Sequence, residues 1–235
     1  MIVERGHYAK RIRDDGKIVY VMTPKLPGMD GPVNIMDRLE TNEQAEYPFL
    51  VWDRPLTNIK YLTIHHSAGS YSINYWHELH THIRRSWSRV GYHFGAATFD
   101  DYPDVVDLYQ MNKLATVSWH DTRNYDTVGF CFGGDLRPHP YQGEPTEKQL
   151  ECWGRFTAWI IPQLSNLYAI VGHSRWSATA CQGDLPGYAP LLIDASRQYG
   201  QDISGILSTK KASAIARAYN VITRKPMLGA PCEEE

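Results

Sequence analysis

Apolar and polar positions along the chain change their period from segment to segment, and those changes mark out its elements. KYLTIHHSA, residues 60–68, has the β-branched and aromatic content of a buried strand. SINYWHELHTHIRRSW, 72–87, then places Ile73, Trp76, Leu79, His80 and Ile83 on one helical stripe. VGYHFGAATF, 90–99, and VVDLYQM, 105–111, predict a second and a third strand, joined as a hairpin across DDYPD. TVGFCFGGD, 127–135, predicts a fourth. PTEKQLECWGRFTAWIIPQLSNL, 145–167, predicts a long amphipathic helix, started by Pro145, Thr146 and Glu147 and kinked or ended by Pro162. LYAIVGHS, 167–174, is a fifth strand. PLLIDASRQYG, 190–200, and SGILSTKKASAIARAYNVI, 204–222, predict two further helices. Strands alternating with helices around one hairpin give the fold class: α/β, a mixed central β-sheet flanked by helices. Reactive groups then belong at strand ends and in the loops that follow them.

The flanks read differently. RIRDDGKIVYV predicts two short strands around Asp14-Asp15-Gly16, TPKLPGMDGP is a loop, and DRLETNEQAEYPF is polar and ambiguous. Residues 1–57 are therefore expected to form an extension or small subdomain, 58–200 the main domain, and 201–235 a helix with a disordered tail. The 235 residues are 43 % hydrophobic and 21 % charged, which supports a buried core. A net charge of −2 gives no electrostatic footprint for nucleic acid. No apolar run is long enough to insert in a membrane, and MIVERGHYAKRIRDDG lacks the apolar core of a secretory signal. A reducing cytoplasm is the expected site of folding. There the four cysteines are more readily buried, catalytic or metal-bound than paired.

Chemistry gathers at the strand ends. His65 in TIHHSA, His93 in GYHFG and His173 in VGHS lie at strand ends or beside turns, and Cys181 follows His173 on the loop VGHSRWSATAC. A catalytic zinc site takes three protein ligands and keeps one position open, and imidazole and thiolate both suit it. The interval from His173 to Cys181 is no standard short zinc motif. Spacing alone leaves the pair open between a metal site and coincidence.

TIHHSA, VGYHFGA, TVGFCFGGDL and VGHSRWSATACQG, in this order, resemble the zinc N-acetylmuramoyl-L-alanine amidases, a family that includes phage endolysins and peptidoglycan recognition proteins. The resemblance covers residues 59–199 and implies a mixed sheet flanked by helices. By position it implies His65, His173 and Cys181 as ligands of Zn2+, Tyr92 as the active-site tyrosine and Thr179 as the second catalytic group. Cytoplasmic recycling amidases of the superfamily use an aspartate later in the loop, near Asp184. The interval here matches the cysteine type, so Cys181 is preferred and Asp184 held in reserve. His120, Trp119 and Arg175 are candidate substrate contacts, with core or surface roles as the alternatives. His66 and His93 are expected to be structural, and Cys131 a buried strand thiol.

The implied activity is hydrolysis of the amide between N-acetylmuramic acid and L-alanine in peptidoglycan, by a monomer held in the cytoplasm until lysis frees it to the wall. The group that moves the proton is open, because no His-Glu-x-x-His arrangement occurs. The alternatives are a recognition module without catalysis, a recycling amidase, and an interaction role supplied by residues 1–57. Non-catalytic recognition proteins typically lack the cysteine, so Cys181 favours catalysis.

Overall fold

The computed structural model of the chain describes residues 8–12, 18–22, 31–42, 45, 53–83, 87–99, 102–176 and 179–210. β1 (Tyr8–Ile12) and β2 (Ile18–Met22) pair antiparallel as the expected hairpin, from Tyr8 opposite Met22 to Ile12 opposite Ile18. β3 (Val33–Asn34) and β4 (Tyr61–His66) precede α1 (Ile73–Glu78). β5 (Phe94–Phe99), β6 (Tyr102–Gln110) and β7 (Thr127–Phe132) follow. Then come α2 (Glu147–Ile160), β8 (Ala169–Gly172), α3 (Leu185–Gln198) and β9 (Leu207–Ser208). The main sheet has seven strands in the order β3-β6-β5-β7-β4-β8-β9. Its β5–β6 pair is antiparallel and its other neighbours are parallel.

Strand alternation divides the chemistry between two faces. Leu62 and Ile64 of β4, Val128, Phe130 and Phe132 of β7, and Ile170 of β8 are fully buried in one apolar cluster. Cys152, Trp153, Phe156 and Ile160 of α2 and Leu185, Tyr188 and Leu192 of α3 complete it. The spacing of the α2 residues is the apolar stripe of an amphipathic helix. A capping box between Thr146 and Gln149 starts α2, and Pro162 sits in the 3-10 turn that ends it. Thr63 and His65 alternate with Leu62 and Ile64, and they share their face with their partners in register, Gly129 and Cys131. Cys131 packs there with Ile73, Trp76 and Tyr92. With both faces covered, β4 and β7 are buried along almost their whole length, as parallel strands commonly are.

Four local expectations are revised. The helix expected over 72–87 is α-helical only to Glu78 and continues as a π turn, Leu79–Ile83, where the Thr81 hydroxyl bonds the His77 carbonyl. Trp87 lies outside the helix. The helix expected from Pro190 begins instead at Leu185 and carries Pro190 inside it. Proline favours a first turn, and here Pro186 fills that role. Leu207 and Ser208 are not helical: they extend the sheet, pairing with Ile170 and Val171. The remainder of the expected C-terminal helix and tail, 211–235, lies outside the described residues. Val33 and Asn34 pair with Tyr109 and Gln110, so the sheet draws its first strand from within residues 1–57. Among the described residues no helix is long and apolar enough to cross a membrane.

Candidate metal centre

Two parallel neighbours bring the first pair of candidate ligands together. β4 carries His65 near its end, and Ile64 is in register with Gly172, the last residue of β8. His173 follows at once in a 3-10 turn, and its ring centroid lies 4.6 Å from that of His65. The loop to Cys181 is then tied back. The Gln182 side-chain oxygen accepts from the Ser174 amide at 2.9 Å. A Cβ at position 172 would stand 1.9 Å from that oxygen, so the approach needs glycine. On the other side, the His66 amide donates to the Cys181 carbonyl at 2.6 Å, and His66 Nε2 donates to the Ala180 carbonyl at 3.0 Å. His66 Nδ1 accepts from the Leu136 amide, which accounts for both ring nitrogens and gives His66 the structural role expected of it.

One ligand atom from each of His65, His173 and Cys181 lies within 4.8 Å of the others, with all three residues buried. His65 Nδ1 stands 3.4 Å from Cys181 Sγ. Zinc bonds of about 2.0–2.3 Å in tetrahedral geometry place ligand atoms roughly 3.5 Å apart. His173 Nδ1 is buried with no hydrogen-bond partner, the condition of a nitrogen lone pair left for a cation. Burial, then the neighbouring His173 and His120, holds His65 well below the usual imidazole range. Burial also lowers His173 to about 4, opposed in part by the Asp121 carboxylate. Both imidazoles are therefore neutral at pH 7, as metal ligands must be. The Cys181 sulfur takes part in a disulfide in this structure, so ligation requires its reduction to the thiolate. The donor set fits zinc. Asp184 lies outside the cluster, at the N-terminus of α3.

A polar network beneath these residues is the part that sequence reasoning missed. His65 Nε2 lies 3.2 Å from His120 Nδ1, and His120 Nε2 lies 3.2 Å from Thr127 Oγ1. Asp121 accepts from the Thr63 hydroxyl at 2.9 Å, and Trp176 Nε1 donates to Thr63 Oγ1 at 3.3 Å. His65, His120 and Asp121 form a second buried group with metal-ligand spacing. His120, a candidate for substrate contact or a surface loop, is 0 % exposed. Gly129 makes room for it, since a Cβ there would meet the His120 ring at 2.6 Å. Gly129→Ala is accordingly expected to cost about 1–3 kcal/mol by overpacking. Urea unfolding would measure this, and an unchanged midpoint would refute the packing argument. The sequence did carry a signal for these groups. Thr63 stands two residues before His65 on a strand, and Asp121 adjoins His120.

The remaining candidates are dispersed around the centre. Tyr92 precedes β5 in a bend that the Asn112 amide pins by donating to the Val90 and Tyr92 carbonyls. Its buried ring lies 5.1 Å from that of His65, and its hydroxyl bonds the Cys131 thiol, whose burial pushes it well up. Thr179 is half-buried, and its hydroxyl oxygen accepts from the Cys181 amide at 3.1 Å. Trp119 and Arg175 are half-buried. His93 is a satisfied core histidine: it bonds the Thr116 carbonyl at 2.7 Å and accepts from the Gly129 amide.

Residues 55–184 match a family model described as N-acetylmuramoyl-L-alanine amidase. Comparison with curated proteins gives no match. Among solved structures, the chain is similar to the Ph2119 endolysin from Thermus scotoductus MAT2119 bacteriophage Ph2119. The TM-score is 0.50 at 15 % identity, over 68 % of this chain and 97 % of that one. It is also similar to peptidoglycan recognition protein-LE in complex with tracheal cytotoxin, with a TM-score of 0.50 at 21 % identity, over 65 % and 87 %. The amidase LysC from Clostridium intestinale URNW gives 0.47 at 17 %, over 62 % and 92 %. At these identities the structural likeness concerns the fold.

Proposed function

Because the chain belongs to the N-acetylmuramoyl-L-alanine amidase family, we propose that it is a zinc-dependent hydrolase of the amide between N-acetylmuramic acid and L-alanine in peptidoglycan. The observation that carries this reading is the buried cluster of His65, His173 and Cys181 with its unmatched His173 Nδ1. These three residues would hold the metal. Bound zinc supplies Lewis acidity, which polarises a carbonyl and acidifies water to a pKa of about 7.

The chain's own residues prepare the rest. Neutral His65 and His173 offer lone pairs rather than protons. Thr179 accepts from the Cys181 amide, which leaves its own O–H free to donate to a developing oxyanion. Tyr92 offers a second hydroxyl beside His65. Trp119 and Arg175 are assigned to substrate contact on the rim. Release to the wall at lysis is the setting we propose for this activity, and the catalytic domain is proposed to take in the flanking strands β3 and β9 as well as residues 58–200.

Recognition without cleavage is the second reading, favoured where Cys181 is oxidised, because the disulfide removes the thiolate. Reduced protein is incubated with bacterial sacculi, with and without chelator, and newly freed muramoyl and L-alanyl ends are assayed. Release that stops on chelation and returns with zinc is expected. Sacculus binding without release by the reduced protein would select the recognition reading. Release that persists through chelation would refute the metal assignment.

A further inference from the structure

We propose that His120 is a positioning residue that fixes the tautomer of His65 so that Nδ1 is bare and faces the metal position. The inference rests on the zinc reading of the site.

One chain of contacts fixes where each hydrogen sits. Thr127 has a single hydroxyl hydrogen, and its Oγ1 lies 2.9 Å from the Arg123 carbonyl, which can only accept. The Asp121 carboxylate is the hydroxyl's other acceptor, so the hydrogen goes to one of these two oxygens. Thr127 Oγ1 must then accept from its other neighbour, His120 Nε2, at 3.2 Å. His120 Nε2 therefore carries a proton. The ring is 0 % exposed, and in its neutral form it carries no second proton. His120 Nδ1 is left as an acceptor, and the donor facing it at 3.2 Å is His65 Nε2. With its hydrogen on Nε2, neutral His65 has a bare Nδ1, and that is the atom 3.4 Å from Cys181 Sγ.

The surroundings hold this order in place. Asp121 Oδ2, 3.4 Å from His120 Nδ1, is the exception, since a carboxylate oxygen facing a bare nitrogen favours a proton there; its own donors are Thr63 Oγ1, the Arg123 amide and the Thr127 side chain. The His120 amide is bound by the Asn124 side chain at 2.9 Å, and the absence of a Cβ at Gly129 lets the ring lie over β7. Partners of this kind on the far nitrogen of a ligating histidine set its orientation and basicity.

Two measurements on the reduced full-length chain test the proposal. In the first, histidine ring 15N spectra of the metal-free protein report the His65 tautomer. A protonated Nε2 with a bare Nδ1 is expected, and a protonated Nδ1 would overturn the inference. In the second, zinc affinity is read by competition with a chelator. His120→Leu, which removes the acceptor, is expected to weaken binding by about 10–100-fold. His120→Asn keeps an acceptor oxygen where Nδ1 stood and is expected to stay within a few-fold of the wild type. Equal affinity in the leucine and asparagine variants, whether retained or lost, would overturn it. Should the leucine variant fail to fold, the asparagine affinity and the wild-type spectrum decide. A wild-type chain that binds no zinc would refute the reading of the site, while the tautomer would still be read from the metal-free protein.

Discussion

Cys181→Ala is expected to abolish zinc retention and amide cleavage together while leaving the chain folded and able to bind sacculi. The sulfur is one of three ligand atoms, and its residue is 1 % exposed, so no solvent-borne group replaces it. The described ends of the loop are held by hydrogen bonds that do not involve the sulfur. The Cys181 carbonyl accepts from His66, the Ala180 carbonyl from the His66 ring, and the Gln182 side chain from Ser174. Loss of the metal removes several kcal/mol of transition-state stabilisation. At about 1.4 kcal/mol per tenfold, the rate is expected to fall at least about 10³-fold. Zinc content, cleavage and sacculus pull-down are compared with the reduced wild type. A variant that keeps its zinc and its activity would show that Cys181 is no ligand, and one that loses wall binding as well would show that the metal also holds substrate.

The largest effect on stability is expected at Trp153. It is fully buried on α2, with ring centroids 5.1 Å from Phe130, 6.0 Å from Phe132 and 5.7 Å from Phe156. Trp153→Ala opens a cavity among rings whose backbones belong to β7 and α2. Those elements cannot close over the gap, so the cost is expected to be about 3–5 kcal/mol. For a chain of this size that lowers the melting temperature by roughly 10 °C. The indole Nε1 has no hydrogen-bond partner, so Trp153→Phe gives up packing without stranding an acceptor and is expected to cost far less. Thermal unfolding of the two variants side by side checks this. Equal losses would mean that ring packing is not what Trp153 contributes.

Elements that bury a periodic face were legible in the sequence. KYLTIHHSA and TVGFCFGGD became β4 and β7, the PTEKQ start became a capped α2, and the hairpin across DDYPD became β5 and β6. The two-residue strands were not legible. Val33–Asn34 and Leu207–Ser208 are too short to show a period, and pairing with distant neighbours alone makes them strands. The start of α3 was hidden because Pro190, which lies inside the helix, reads as a first-turn residue. At the site, the sequence motifs named residues whose side chains converge, His65, His173 and Cys181. They did not reveal that His120 lies under His65 rather than in a groove. Its burial depends on the missing Cβ of Gly129, nine residues away on another element.

The two short flanking strands bear on how far the chain can be shortened. The family match spans residues 55–184, whereas β3 lies before it and α3 and β9 after it. A fragment trimmed to the match would strip Tyr109 and Gln110 of their partners on one side of the sheet and Ile170 and Val171 on the other. It would also lift Tyr188 and Leu192 off the apolar face. Two bare rows of amides and carbonyls beside an uncovered greasy surface are a template for pairing with another copy. Such a fragment would precipitate with its ligand residues intact, and its inactivity would say nothing about the chemistry. The smallest piece able to stand alone runs at least from Val33 to Ser208.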